Sequence, residues 1–186
     1  MDMEDKVNMV SDIMKVKDFE EMKIENYKDR TRAFIKIQEG CDQYCTYCII
    51  PYARGHIRSR KPESIISEVE KIAEGGFKEV VLTGIHVGSY GKDIGDVSLI
   101  DVIEMIHKVD GIERIRMSSV EPKTLTDDFI EKLKVLPKTC RHFHLSLQSG
   151  CDETLKRMNR KYTIEEYITV VEKLRAAFPE VAITTD

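Results

Sequence analysis

The chain has 186 residues, 41% hydrophobic and 33% charged, with a formal net charge of −4. That length and balance suit one globular domain with a sizeable core, and they exclude a protein that coats nucleic acid by bulk positive charge. The opening Met1-Asp2-Met3-Glu4-Asp5 is acidic and no apolar run approaches the roughly 20 residues of a membrane span, so neither export signal nor anchor is visible and a cytoplasmic location is expected.

Residues 1–32 are polar, with only loose helical spacing of Val7, Val10, Ile13, Met14 and Phe19, and read as a linker from a preceding domain. From residue 33 short β-rich runs alternate with stretches of helical period. The first strand is expected over 33–38. After a cysteine-rich segment and a basic run, a helix starts at Pro62, carries Ile65, Ile66, Val69, Ile72 and Ala73, and stops at Gly75-Gly76. A second strand, 79–83, runs into the glycine-containing Thr83-Gly84-Ile85-His86, and the next helix carries Leu99, Ile100, Val102, Ile103, Ile106 and Val109. A third strand, 113–118, ends in Ser118-Ser119-Val120-Glu121-Pro122. A weaker helix follows, with Phe129, Ile130 and Leu133 behind Thr126 as N-cap.

A fourth strand, 141–147, leads into Gln148-Ser149-Gly150 and a second basic run, Lys156-Arg157-Met158-Asn159-Arg160-Lys161. The last helix opens on the capping box Thr163-Ile164-Glu165-Glu166, with Tyr167, Ile168, Val171 and Leu174 on its apolar face, and a fifth strand is expected over 181–185. The alternation predicts an α/β fold with a parallel sheet, curled into a full or partial (βα) barrel with function at the C-terminal strand ends, or else an open doubly wound sheet. Because the chain stops at Ile183-Thr184-Thr185-Asp186, the core, 33–186, is expected to be truncated in or after its fifth strand.

Five cysteines are poor material for a disulfide framework in a reducing compartment. Cys41, Cys45 and Cys48 follow the first strand directly, so one loop at the sheet mouth can turn three thiolates toward a common centre, the donor set that iron-sulfur clusters prefer. Three ligands on a four-iron cluster leave one iron open. A zinc site completed by His56, in a zinc-stabilised RNA-binding module, is the competing reading, but the spacing differs from the paired knuckles of structural zinc. Cys140 and Cys151 read as ordinary cysteines, and His86, His107, His142 and His144 receive no role. Basic runs are often solvated faces; beside this mouth, Arg54, His56, Arg58 and Arg60 are candidates for phosphate contacts and Arg160 for a carboxylate.

The C-x3-C-x2-C spacing with Tyr47 before the last cysteine resembles the radical S-adenosylmethionine (SAM) superfamily. Lys36-Ile37-Gln38-Glu39-Gly40-Cys41, Ile50-Pro51-Tyr52-Ala53-Arg54-Gly55, Ser118-Ser119-Val120-Glu121-Pro122, Leu147-Gln148-Ser149-Gly150 and Met158-Asn159-Arg160-Lys161-Tyr162-Thr163 together resemble its methylthiotransferases. Thr83-Gly84-Ile85-His86 with Ser89-Tyr90-Gly91 is similar to the MtaB branch, which modifies N6-threonylcarbamoyladenosine at tRNA position 37. Other branches act on isopentenyladenosine or on a ribosomal-protein aspartate.

The resemblance implies that SAM chelates the open iron of a 4Fe-4S cluster and is cleaved to a deoxyadenosyl radical, which abstracts hydrogen from adenine C2 in a splayed anticodon loop before a methylthio group assembled on a second cluster is transferred there. Tyr47, Thr83, Gly84, Ser119, Glu121, Gln148, Ser149 and Arg160 are the implied SAM contacts. A second 4Fe-4S cluster in an N-terminal domain, an RNA-binding TRAM domain and a glycine-rich segment after Asp186 are family features outside these residues. A flavodoxin or ferredoxin is the implied reductant. The chain alone is therefore expected to bind a cluster and, weakly, SAM, without completing methylthiolation.

Overall fold

The computed structural model describes residues 12–21 and 31–186. In chain order the elements are β1 (Ala33–Glu39), α1 (Ile50–Arg54), β2 (Arg58–Ser59), α2 (Pro62–Glu74), β3 (Glu79–Gly84), α3 (Leu99–His107), β4 (Arg114–Met117), α4 (Asp127–Lys134), β5 (His142–His144), α5 (Asp152–Arg157), α6 (Ile164–Ala177) and β6 (Ala182–Thr184). Local chemistry sets their ends. Pro62 occupies the first turn of α2, where a missing N–H costs nothing. The Thr126 hydroxyl accepts from Phe129 N at 3.2 Å to start α4, and the expected capping box of Thr163 and Glu166 opens α6. An equivalent box of Ser98 and Asp101 on α3 was not anticipated.

β1, β3 and β4 are parallel, as are β5 and β6, and isolated parallel bridges, Ile115 to Thr139 and Val120 to Leu145, link the two groups. The parallel strands thus follow one another in chain order without the reversal that defines a doubly wound sheet. Right-handed crossovers then place the connecting helices α2, α3, α4 and α6 on the same side. Accordingly α2 touches α3, α3 touches α4, and α4 touches α6. Burial alternates to match: Ala33, Ile35 and Ile37, Val80 and Leu82, Ile115 and Met117, and Phe143 are buried in the core. The intervening Phe34, Lys36, Thr83, Arg116, His142 and His144 occupy the opposite, half-buried face. This is the arc of a (βα) barrel, and the doubly wound alternative is set aside.

Two features depart from expectation. β2 pairs antiparallel with the end of β1, Gln38 opposite Ser59 and Glu39 opposite Arg58, although Arg58 and Ser59 belong to a basic run that reads as loop. Most of 1–32 lies outside the described residues; within 12–21, the turn Ile13–Lys15 contacts α1 and Phe19 lies 5.3 Å under the Lys36 ammonium. Among the described residues no helix is long and apolar enough to cross a membrane.

At the opposite end of the strands Glu79, 8% exposed, accepts from Arg114 Nε at 2.8 Å and Arg116 Nε at 3.0 Å. Burial raises its pKa, but the hydrogen bonds and charges of the two arginines outweigh it and hold the carboxyl below the ordinary value of 4.5. A depressed folded pKa adds stability above the unfolded value that is lost as pH falls through the folded one. Glu79→Gln is expected to cost about 2 kcal/mol at neutral pH, with the gap to wild type closing in acid, as urea titrations across pH would show.

Candidate functional site

The cysteine loop sits between β1 and α1 because its first residue has no side chain. Gly40 has φ +71°, and a Cβ there would stand 1.8 Å from the His56 carbonyl oxygen, so only glycine turns the chain at this point. Cys41 N donates to Gly55 O at 3.1 Å, closing the loop on the end of α1. The second basic run clamps it from the other side. Asn159 Nδ2 donates to Tyr44 O at 2.8 Å, Thr46 N to Met158 O at 3.2 Å and Thr46 Oγ1 to Arg157 O at 3.1 Å.

Cys41, Cys45 and Cys48 are free and half-buried. Burial pushes the Cys41 thiol up, and Cys45, Glu121 and Cys48 oppose its ionisation further, which places all four groups within electrostatic reach. Among the described residues no three His, Cys, Asp or Glu side chains form a compact single-ion site. His56, the fourth ligand of the zinc reading, instead has Nδ1 2.6 Å from Asp42 Oδ1.

Beside the loop, Glu121 (side chain 12% exposed) lies 2.7 Å from Arg160 Nη2 and 3.0 Å from His86 Nε2, and accepts from Gln43 Nε2 at 3.3 Å. Burial raises the Glu121 carboxyl, but His86 and Arg160 pull it below the ordinary range. Arg160 Nη1 also reaches Cys45 Sγ at 3.4 Å. Although both contacts are at ion-pair distance, buried Arg160 Nη2 and His86 Nε2 have no acceptor in hydrogen-bond geometry. Glu121 thus engages both charges without well-aligned hydrogen bonds. A guanidinium beside the thiols suits a further anionic group, as the carboxylate of SAM would be, and three thiols are the donor set of an iron-sulfur cluster.

The remaining expected contacts divide. Tyr47, 53% exposed, donates from its hydroxyl to Gln148 Oε1 at 2.7 Å, bringing the loop to the end of the fourth strand. Ser119 is exposed at the same mouth. Thr83 Oγ1 donates inward to Ile35 O at 3.1 Å, and Ser149 Oγ accepts from Cys151 N at 3.2 Å as a turn cap. Of the phosphate candidates, Arg54 and His56 have side chains 58% and 51% exposed. Arg58 and Arg60 do not stay available: their side chains are 5% and 2% exposed, paired with Glu39 and Glu68. Pairing in the β2 edge turns both inward, so expected phosphate contacts from this run narrow to Arg54 and His56.

Sequence reasoning passed over His86, Gln38, Gln43 and Asn159, because each acts through a partner distant in the chain. The sequence signal for Gln38 was weak, since β1 ends in Lys36-Ile37-Gln38-Glu39, where one more polar residue does not stand out. A cavity of about 550 Å³ opens next to Gln43, His86 and Glu121, rimmed by Lys92, Lys123 and Lys161.

Comparison with known proteins agrees with this arrangement. The sequence profile of the radical SAM superfamily matches residues 35–186. Threonylcarbamoyladenosine tRNA methylthiotransferase MtaB of Bacillus subtilis (strain 168) is 46% identical over 181 residues, covering 97% of this chain and 40% of the relative. The tRNA-2-methylthio-N(6)-dimethylallyladenosine synthase of Clostridium botulinum (strain Loch Maree) is 45% identical over 179 residues, covering 94% and 40%. The chain thus spans about 40% of the length of these curated relatives.

Among solved structures, the cobalamin-dependent SAM radical enzyme OxsB superposes with TM-score 0.65 at 16% identity, over 82% of this chain and 23% of that one. The radical SAM methyltransferase TsrM from Kitasatospora setae gives 0.63 at 19%, over 82% and 29%. With the profile spanning β1 to the last residue, and the thiol loop at the strand mouth within it, the chain belongs to the radical SAM superfamily.

Proposed function

We propose that this chain forms the cluster and SAM site of a tRNA methylthiotransferase, with Cys41, Cys45 and Cys48 as ligands of a 4Fe-4S cluster. The observation that carries the reading is the braced three-thiol loop at the mouth of the parallel strands, beside the buried Glu121 carboxylate with Arg160 and His86 against it. When bound, cluster and SAM supply the one-electron chemistry. The residues then have distinct tasks. Arg160 and His86 offer N–H groups to the SAM carboxylate, Glu121 takes its ammonium, and Gly84 allows close approach of the chain there. Tyr47, Gln148 and Ser119, at the same mouth, are the proposed partners of the ribose hydroxyls.

The relatives' names carry the substrate reading: one acts on threonylcarbamoyladenosine tRNA and another makes a 2-methylthio-dimethylallyladenosine. N6-threonylcarbamoyladenosine at tRNA position 37, in the cytoplasm, is the proposed target. A second 4Fe-4S cluster on residues beyond this chain and a flavodoxin or ferredoxin as reductant complete the proposal. Nucleoside mass spectrometry of tRNA, with and without the gene, tests it. Loss of 2-methylthio-N6-threonylcarbamoyladenosine is expected; loss of the dimethylallyl product alone moves the substrate to the other branch, and an unchanged tRNA profile removes the reading.

The anionic partner suits the cavity rim, where Lys92, Lys123 and Lys161 make no ion pair among the described residues. Counterion release gives about 0.7 in log–log salt slope per phosphate on single strands. Changing all three lysines to Gln should flatten the salt dependence of anticodon stem-loop binding by about 2, measured by fluorescence anisotropy. Parallel salt lines for wild type and variant would show that the rim does not touch phosphate.

A further inference from the structure

Gln38 has no assigned role, yet its position is unusual. It is 0% exposed at the end of β1. Its Nε2 donates to Glu39 O and to Gly40 O, both at 2.7 Å, and its Oε1 accepts from His86 N at 2.7 Å. Both donors of the amide and one acceptor position are therefore engaged. One end holds the two carbonyls that lead into Cys41, and the other holds the turn that follows Gly84.

Two backbone features exist to admit this side chain. The register between β1 and β3 slips between Lys36 and Gln38, pairing Lys36 with Thr83 but Gln38 with Gly84. The extra residue breaks the burial alternation, leaving Ile37, Gln38 and Glu39 all buried. Bulges of this kind re-aim a side chain next to a functional site. Across from it, a Cβ on Gly84 would stand 2.9 Å from Gln38 Oε1 and 2.9 Å from Gln38 O. Gly84 is thus needed at least in part because Gln38 fills the space beside it.

We infer that Gln38 is a positioning residue that fixes the cysteine loop against the Gly84–His86 turn, so that the iron ligands and the SAM-contacting turn keep one relative placement. The inference rests on the proposed cluster and SAM site. Glutamine suits the task because it offers donors to two carbonyls and an acceptor to an N–H at once. Carboxylate lacks the donors and an aliphatic side chain lacks everything but volume. Gln38 touches neither cluster nor SAM; it acts through the two segments that do.

The test uses the full chain reconstituted anaerobically with iron and sulfide, and two variants. Gln38→Met keeps the volume and removes the hydrogen bonds, while Gln38→Glu keeps an acceptor for His86 N and loses both donors to the Glu39 and Gly40 carbonyls. Melting curves, iron content, the SAM dissociation constant and the SAM-induced change in the EPR spectrum of the reduced cluster are read for each. Each variant that folds is expected to take up iron like wild type, yet bind SAM about tenfold more weakly, the worth of one ordinary hydrogen bond, with the spectral change diminished.

A folded variant that binds SAM within about twofold of wild type overturns the assignment. So does failure of both variants to fold, which would make Gln38 a core residue and nothing more. If wild type takes up no iron, it is the proposed site that falls; if wild type binds iron and SAM and the folded variants match it, only the role of Gln38 falls.

Discussion

Replacing Cys41, Cys45 or Cys48 by alanine, one at a time, is expected to reduce iron uptake, brown colour and 5′-deoxyadenosine release from SAM to background. A cluster held by three protein thiolates has no spare ligand, and Cys140 and Cys151 lie elsewhere in the fold as a half-buried and an exposed cysteine. The fold should survive each change. The loop is held mainly by backbone and amide contacts, Cys41 N to Gly55 O, Thr46 N to Met158 O and Asn159 Nδ2 to Tyr44 O, and the sulfurs add one long contact, Arg160 Nη1 to Cys45 Sγ at 3.4 Å. Removing one half-buried Sγ should therefore cost about 1 kcal/mol or less.

That combination separates the two metal readings. A zinc-stabilised module would unfold on losing a thiolate, and it would purify colourless with one zinc. Iron and sulfide analysis beside a melting curve of Cys45→Ala distinguishes the outcomes in one preparation. A Cys45→Ala protein that is unfolded and whose parent carries zinc would sink the cluster assignment. Cys140→Ser and Cys151→Ser serve as controls, expected to match wild type.

The second large effect concerns the buried pair at the same mouth. Arg160, with its side chain 7% exposed, and Glu121, at 12%, meet at 2.7 Å. Two ions taken so far out of water are stable only together. Arg160→Gln leaves the Glu121 carboxylate facing His86 and Gln43 alone, and Glu121→Gln leaves a guanidinium held by Tyr162 and Cys45. Each single change is expected to cost about 3 kcal/mol.

The double variant pairs two amides and should recover part of that loss, a coupling of about 1–3 kcal/mol in a denaturant double-mutant cycle. Additive losses would mean that the pair contributes as separate side chains. Arg160→Gln should also lower the reduction potential of a reconstituted cluster, because a hydrogen bond to a ligating sulfur is one of the factors that set it. Iron uptake should persist in both single variants, which distinguishes this pair from the cysteines.

How much was legible beforehand differs by element. α6 was readable because Thr163 and Glu166 cap it within one turn of chain and its apolar residues recur at helical spacing. β1 and β3 were readable as compact β-rich runs. α1 and α5, at Ile50–Arg54 and Asp152–Arg157, were not, since helices of five and six residues carry too little periodicity to register. β2 was missed for a different reason: two residues inside Arg54-Gly55-His56-Ile57-Arg58-Ser59-Arg60-Lys61 become a strand only because the edge of β1 is there to pair with them.

The site divides in the same way. Spacing along the chain determined the three-thiol loop, its place after the first strand, and the glycine-bearing turns at the strand ends, because all of these are local and the βα alternation forces them to one mouth. Only the tertiary structure decided which charges are available. It buried Arg58 and Arg60 against Glu39 and Glu68 while leaving Arg54 and His56 in solvent. It also brought His86 and Glu121, beyond the ends of β3 and β4, together with Arg160 from the loop after α5, and set Gln38 between the cysteine loop and His86. The physical reason is that ion pairing and burial depend on distances across the sheet, between residues tens of positions apart, and a single chain read in order carries no measure of those distances.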